Sequence, residues 1–256
     1  MKIVVAIKQV PARDSQLHIA ASAKWIEDAD LSYEINEPDA YALEAGLQLK
    51  EKHGGEVIAL CAGPARASQT IREALAKGAD RAIHVEEEDL GAWDPLAAAK
   101  LLAAALKPET PDLVLTGLQS DDLGYGQTGP ILAELLGMPH GTIIMEVDKQ
   151  DGGIRVKREL ESGWFQHVEM PLPALLTIQS GISKLRYATL MGIKKAKTKE
   201  LKRLTAADLG TSPKASITLD RIYLPERVKR TQLFEGDPRQ AAAQLVEKLK
   251  FEARVL

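Results

Sequence analysis

The stretch EVIALCAGPARASQTIREALAKGADRAIHVE, from Glu56 to Glu86, decides the fold. EVIALCAG is a continuous apolar run rather than an alternating one, the pattern of a strand covered on both faces. ARASQTIREALAKGA reads as a helix closed by Gly78, and RAIHVE opens a second apolar run. Strand, helix and strand in that order form a crossover unit, whose two strands run parallel. Outward from this unit the pattern repeats. KIVVAIK is a strand before it, followed by the helix EPDAYALEAGLQLKEKHG with Gly54-Gly55 as its stop. Beyond it come DPLAAAKLLAAALK, with Asp94 as cap and Pro95 at the first helical position, then the strand PDLVLTG and the helix QTGPILAELLG. The expectation is an α/β fold: an open, mostly parallel sheet with helices on both faces.

The rhythm changes after that. HGTIIMEVDKQDGGIRVKREL is two extended runs about Asp151-Gly152-Gly153, a hairpin signal, and QHVEMPLPALLTIQS supplies further strand. Past Gly181 the chain turns basic and polar, with Pro213 and Pro225 in a loop-like region and a last helix near PRQAAAQLVEKLKFEA. Residues 1–184 are therefore expected to form the α/β domain, and residues 185–256 an arm that lacks its own core and packs on a partner subunit. Within this arm, KLRYATLMGIKKAKTKELK sets an apolar tip, Tyr187 to Met191, against a dense run of lysines.

Composition narrows the classes. The chain has 256 residues, 45% hydrophobic and 27% charged, with a net charge of -3. That is ordinary for a globular protein and gives no reason to expect bulk nucleic-acid binding. A single cysteine, Cys61, makes no internal disulfide, and no cysteine or histidine cluster offers a metal site. MKIVVAIKQV is too short for a signal segment and is interrupted by Lys8, and no apolar run is long enough to cross a bilayer, so a cytoplasmic protein without membrane insertion is expected.

Gly124-x-Gly126-x-x-Gly129 matches the letters of a dinucleotide-binding turn but follows the fourth main strand instead of the first. Another phosphate reading suits it better. Glycines let backbone approach a ligand, and Gln127 and Thr128 would stand at a helix N-terminus, which favours an anion. A tight loop without a ligand fits the same residues equally well. Asp121 and Asp122 would repel a phosphate, which suits them to ribose hydroxyls or turn caps. LCAGPA (Leu60–Ala65) and AIKQVP also follow strands on the same sheet edge, where ligands of open α/β sheets bind. Ile35–Asp39 could form the rim of that crevice; capping of the first helix is an equal reading for Asn36 and Asp39. The five histidines read as structural, Trp164 and Phe165 as core, and Glu86–Asp89 as a solvated loop. No nucleophile elbow or Walker lysine loop is present, so side-chain catalysis is not expected.

The segments MKIVVAIKQVP, NEPDAYALEAGLQLKE, GPARASQTIREALAKGADRAIHV, GLQSDDLGYGQTGPILAELLG, VKRELESGWFQHVEMPLPALLT and RYATLMGIKKAKTKE follow one another in an order that resembles the beta-subunit family of electron-transfer flavoproteins. RYATL followed by KAK is the most specific of them. The resemblance implies a Rossmann-like, adenine-nucleotide-binding domain that buries a structural AMP. It also implies an alpha-subunit partner holding the redox FAD, a C-terminal arm wrapped on that partner, and a recognition loop for acyl-CoA and related flavin dehydrogenases of fatty acid oxidation. Electrons would pass on to a membrane quinone oxidoreductase, with this chain acting as a carrier subunit rather than an enzyme. Carried onto this sequence, the nucleotide residues are Ala6, Asn36, Glu37, Pro38, Asp39, Ala62, Gly117, Gln119, Asp121, Asp122, Leu123, Gly124, Tyr125, Gly126, Gln127 and Thr128, and the docking residues are Tyr187, Leu190 and Met191. The chain departs from the family at Asn36-Glu37-Pro38, where Asn-Pro-Phe is frequent, and has Arg13 near a position that is aromatic in some members. Bifurcating members hold a second FAD in place of AMP; Tyr125 with Gln127-Thr128 matches the AMP type better.

Overall fold

The computed structural model describes residues 1–88, 94–212, 214–225 and 231–256; Asp89 and Pro213 lie outside them. The described elements are strands β1 (Lys2–Ala6), β2 (Gln9–Pro11), β3 (Tyr33–Ile35), β4 (Glu56–Gly63), β5 (Arg81–Glu86), β6 (Leu113–Gly117), β7 (His140–Gln150), β8 (Gly153–Glu159), β9 (Phe165–Pro171), β10 (Ala174–Ile178) and β11 (Leu201–Leu204). The α-helices are α1 (Glu37–His53), α2 (Ser68–Lys77), α3 (Pro95–Leu106), α4 (Thr128–Leu136), α5 (Leu190–Ala196) and α6 (Pro238–Glu247).

Nine strands form one sheet in the order β11-β5-β4-β1-β6-β10-β7-β8-β9, and β2 pairs with β3 beside it. From β11 to β7 every neighbouring pair is parallel, and β7, β8 and β9 continue the sheet as an antiparallel meander. Alternate side chains of a strand face opposite ways. Ile3 and Val5 thus join one buried cluster with Leu43 and Leu47 of α1 and Ile71 and Leu75 of α2. Val4 and Ala6 join the other with Leu101 and Leu106 of α3 and Leu132 of α4. Both faces of the parallel strands are covered, which is why their sequences read as unbroken apolar runs. The expected punctuation is present: Gly54 closes α1, Gly78 closes α2, and the Asp94 carboxylate accepts from Ala97 N at the start of α3.

Two expectations are corrected. Trp164 and Phe165 are not core: Trp164 is 72% exposed and Phe165 half exposed. They sit where β8 turns into β9, on a part of the sheet with one face in solvent, where an apolar side chain need not be buried. The chain also does not leave its core at residue 185. Ala196 of α5 is buried among the α2 cluster, and β11 pairs with β5 along Leu201–Leu204. A Cβ on Gly192 would lie 2.3 Å from the Ala76 carbonyl oxygen, so α5 rests directly on α2. The lysine run is partly structural: Lys199 Nζ donates to Leu75 O and Ala79 O at the end of α2, and Arg72 donates to the Ala196 and Lys199 carbonyls. The compact units are residues 1–222 and 223–256. In the second, α6 is capped by Asp237, which accepts from Arg239 N and Gln240 N, and its residues Leu245 and Val246 are exposed. No helix of the described residues is long and apolar enough to cross a membrane.

Arg186 ties the segment before α5 to α1. It donates to Glu44 at 2.8 and 3.0 Å and to Glu51 at 2.6 Å, and Glu44 is almost fully buried. Burial alone would raise the Glu44 pKa, but Arg186 and Gln48 outweigh it and hold it below the usual carboxylate value. Glu44→Ala should therefore cost about 2 kcal/mol in urea unfolding near neutral pH. Because a lowered carboxylate pKa stabilises above its unfolded value and is lost on acidification, the difference from the native chain should shrink from about pH 7 to about pH 3.

Candidate functional site

The strand order reverses at β1: β4 and β5 lie on one side of it, β6 and β10 on the other. In open α/β sheets that divergence leaves a crevice beyond the strand C-termini. Here it is a cavity of about 460 Å³, walled by the residues after β1, β4 and β6, as the loop spacing anticipates.

Asp39 holds the floor together. It lies in the first turn of α1, 7% exposed, and accepts from Lys8 N at 2.7 Å and Gly117 N at 2.8 Å. One carboxylate thus satisfies the backbone where β1 and β6 part. Burial pushes its pKa up to about 7, against the opposing pull of the Lys8 and Gly117 backbone N–H groups, the Asn36 side chain and the Lys8 charge. Asn36 does not cap its own helix with its side chain. It donates to Gln119 O and accepts from Asp121 N, each at 2.9 Å, and so clamps the loop after β6. Gly117 permits this approach, because a Cβ there would fall 2.3 Å from Asp39 Oδ1 and 2.7 Å from Pro38 Cβ.

The loop from Leu118 to Gln127 delivers the N-terminus of α4 to the cavity. Gly124 and Gly126 have φ of 65° and 64°, the left-handed region that favours glycine. Gly129 serves differently: a Cβ there would meet Thr177 Cγ2 at 2.4 Å, so this glycine seats the helix on the sheet. Thr128 and Gly129 open α4 with N–H groups that precede the first intrahelical bonds, the arrangement that favours an anion. Lys8 Nζ pairs with both oxygens of Asp122, at 2.6 and 2.7 Å, which cancels the negative charge expected to repel one.

Of the residues singled out from sequence, Ala6, Asn36, Asp39, Ala62, Gly117, Gln119, Asp122, Leu123, Tyr125, Gly126, Gln127 and Thr128 line the cavity. Glu37, Pro38, Asp121 and Gly124 stand behind the lining, and Glu37 pairs with Arg13. Lys8 and Gln9, within the AIKQVP stretch expected at this sheet edge, line the cavity too, and Arg66 and Asp94 are among the lining residues not anticipated in this role. Arg66 stacks on Tyr33 at 4.5 Å. Gln9 donates to Thr70 Oγ1 at 2.8 Å, while its buried Oε1 finds no donor among the described residues. The residues expected from the sequence to dock a partner lie elsewhere on the same unit: Tyr187, Leu190 and Met191 are exposed, Leu190 at 81%, at the start of α5, whose cap Thr189 accepts from Gly192 N at 3.0 Å.

The Asp39 tie gives a pH signature. Asp39→Asn keeps one acceptor but turns an amide donor toward a backbone N–H, and should cost about 1–3 kcal/mol in chemical unfolding. A carboxyl whose folded pKa is raised stabilises most at low pH and loses that contribution as pH rises through the folded value. The native chain's advantage over Asp39→Asn should therefore be larger at about pH 5 than at about pH 8.

Comparison with known proteins agrees with this architecture. The family model described as "Electron transfer flavoprotein domain" matches residues 24–209. The electron transfer flavoprotein subunit beta of Methylophilus methylotrophus is 35% identical over 257 residues, covering 96% of this chain and 97% of its own length. The Bacillus subtilis subunit is 36% identical over 249 residues, covering 95% and 96%. The Homo sapiens subunit is 34% identical over 261 residues, covering 100% and 99%. With similarity of this extent along nearly the whole sequence, the chain belongs to the electron transfer flavoprotein beta-subunit family.

Proposed function

We propose that this chain is the non-enzymatic subunit of a two-subunit electron carrier and that its cavity retains AMP. The redox FAD sits mainly on the alpha subunit, which this chain helps to cover. The single observation that carries the nucleotide reading is the cavity itself, where a loop turning through two left-handed glycines presents a helix N-terminus. Its volume of about 460 Å³ falls within the range of small-ligand sites. The residues suit the ligand. Thr128 and Gly129 offer N–H groups to a phosphate, with the Asp122 charge already taken by Lys8. Gln9 Oε1 is a buried acceptor that an adenine amino group or a ribose hydroxyl can satisfy. Tyr125 occupies part of the cavity wall and favours AMP over a second FAD.

The same reading gives the exposed start of α5 a role. Tyr187, Leu190 and Met191 form the anchor that enters a pocket on acyl-CoA and related flavin dehydrogenases, in the cytoplasm, before electrons continue to a membrane quinone oxidoreductase. Its support is the rigid mounting described above: Thr189 caps the helix, Gly192 rests on α2, and Arg186 is held by Glu44 and Glu51. A small anchor of this kind confers specificity on a short-lived complex.

Denaturing the purified heterodimer and identifying the released nucleotides tests the first part. One FAD and one AMP per dimer is the expected result, and two FAD would move the assignment to a bifurcating subunit. Gly126→Val should lower AMP content, because a branched side chain is strained at a φ of 64°; full AMP content in the variant would remove the assignment of this loop.

Leu190→Ala tests the second part. Loss of a hot-spot side chain costs about 2 kcal/mol, or roughly thirtyfold in affinity. Reduction by an acyl-CoA dehydrogenase should slow accordingly, while thermal unfolding and reduction by a small chemical reductant stay at native values. Early melting would instead show that Leu190 supports the fold.

A further inference from the structure

The cavity has one wall that belongs to neither the sheet edge nor the glycine loop. Ile217, Thr218, Leu219 and Asp220 line it, far along the chain from the other lining residues. Residues 216–222 form neither helix nor strand. A tether at each end holds them. At the first, the Asp94 carboxylate is only 4% exposed and divides its two oxygens. Oδ1 accepts from Ala97 N at 2.7 Å and caps α3, while Oδ2 accepts from Ser216 N at 2.5 Å and Ile217 N at 3.2 Å. At the second, Lys24 Nζ donates to Leu219 O at 3.1 Å and also to Asp220 O. Beside it, Ile222 N donates to Ala23 O at 2.8 Å. The loop that carries Ala23 and Lys24 also supplies Trp25 and Asp28 to the cavity wall.

We infer that residues 216–222 are a retention strap: they close the nucleotide cavity, and bound nucleotide exchanges only when the strap comes off Asp94 or Lys24. This inference rests on the nucleotide reading above. Its physical basis is the contrast between the two kinds of wall. The floor is built from buried strand ends, and Asp39 satisfies its backbone, so it opens only with the fold. The strap has no ladder or helical bonds of its own; Asp94 and Lys24 hold its two ends, with the Ile222–Ala23 backbone bond beside Lys24. A segment secured in this way is a low-stability element of a kind from which site lids are drawn. Asp94 fits the role because its carboxylate is charge-assisted by backbone donors on both sides: burial pushes its pKa up, but the N–H groups of Ala97, Ser216, Ile217 and Leu96 outweigh it and hold it down. One oxygen can lose the strap while the other still caps the helix.

The test uses the full chain co-expressed with its partner subunit and loaded with tritiated AMP. Dissociation is followed after dilution into excess unlabelled AMP. Two variants address the tethers separately. Asp94→Asn retains a cap oxygen for α3 but replaces the second acceptor, and Lys24→Ala removes the other tether at the surface. Each should release labelled AMP faster than the native dimer by about tenfold, equivalent to about 1.4 kcal/mol. FAD content and heterodimer stoichiometry should be unchanged. Release at the native rate in both variants overturns the strap. If Asp94→Asn does not fold, Lys24→Ala alone decides. A native dimer that neither contains nor binds AMP overturns the nucleotide reading itself, a result distinct from an unchanged rate.

Discussion

The crevice depends on the Asp39 carboxylate. Parallel strands satisfy one another's backbone as long as they run side by side, but β1 and β6 separate at their C-terminal ends to send the chain to opposite sides of the sheet. The N–H groups of Lys8 and Gly117 then point into the interior, where an unsatisfied donor is costly. Asp39 accepts both from the first turn of α1. The helix is thereby pinned to the point of divergence, and Gly117 has no side chain because Pro38 and Asp39 occupy the space where it would be. Asn36 extends the arrangement by one layer, holding the glycine loop through Gln119 and Asp121. Asn36 and Asp39, which looked like ligand contacts from their position, are therefore also supports of the loops that wall the cavity.

The three glycines of the motif separate into two physical tasks. Gly124 and Gly126 are needed for their backbone conformation, and a Cβ on either would point into open space or meet little. Gly129 has ordinary helical backbone and is needed because α4 lies against Thr116 and Thr177. The pattern of letters is that of a dinucleotide turn, but the strand it follows is β6, not β1. Motif and function part company here: the spacing encodes a tight turn with close helix–sheet packing, and its place in the topology decides which ligand it can serve.

Much of the fold was legible because its determinants are local. The crossover units show themselves in unbroken apolar runs, and the helix ends in Gly54, Gly78 and Asp94. The short strands were not legible. Gln9–Pro11, Tyr33–Ile35 and Leu201–Leu204 are too brief to carry a period, and the last is embedded in a lysine-rich run. Trp164 and Phe165 misled for the opposite reason, since bulk and apolarity say nothing about which face of a meander meets solvent. At the site, the loops after the strands could be foreseen, but their company could not. Lys8 fell within the AIKQVP stretch expected at the crevice, but its ion pair could not be read from the sequence, since its partner Asp122 lies in a distant loop. Residues 217–220 reach the cavity solely through tertiary folding.

The pairing of β11 with β5 bears on how the chain comes into being. Leu201 lies opposite Ala82, so β5 cannot acquire its outer neighbour until more than half of the sequence after it has been synthesised. Until then the nascent chain presents a row of unpaired N–H and C=O groups along an apolar strand, which is a template for pairing with another molecule. A contact between residues so far apart in sequence also forms late and slowly. The segment that closes this edge is the same one that carries α5. The exposed apolar helix start therefore takes its mounted form only at the stage when β5 gains its outer neighbour.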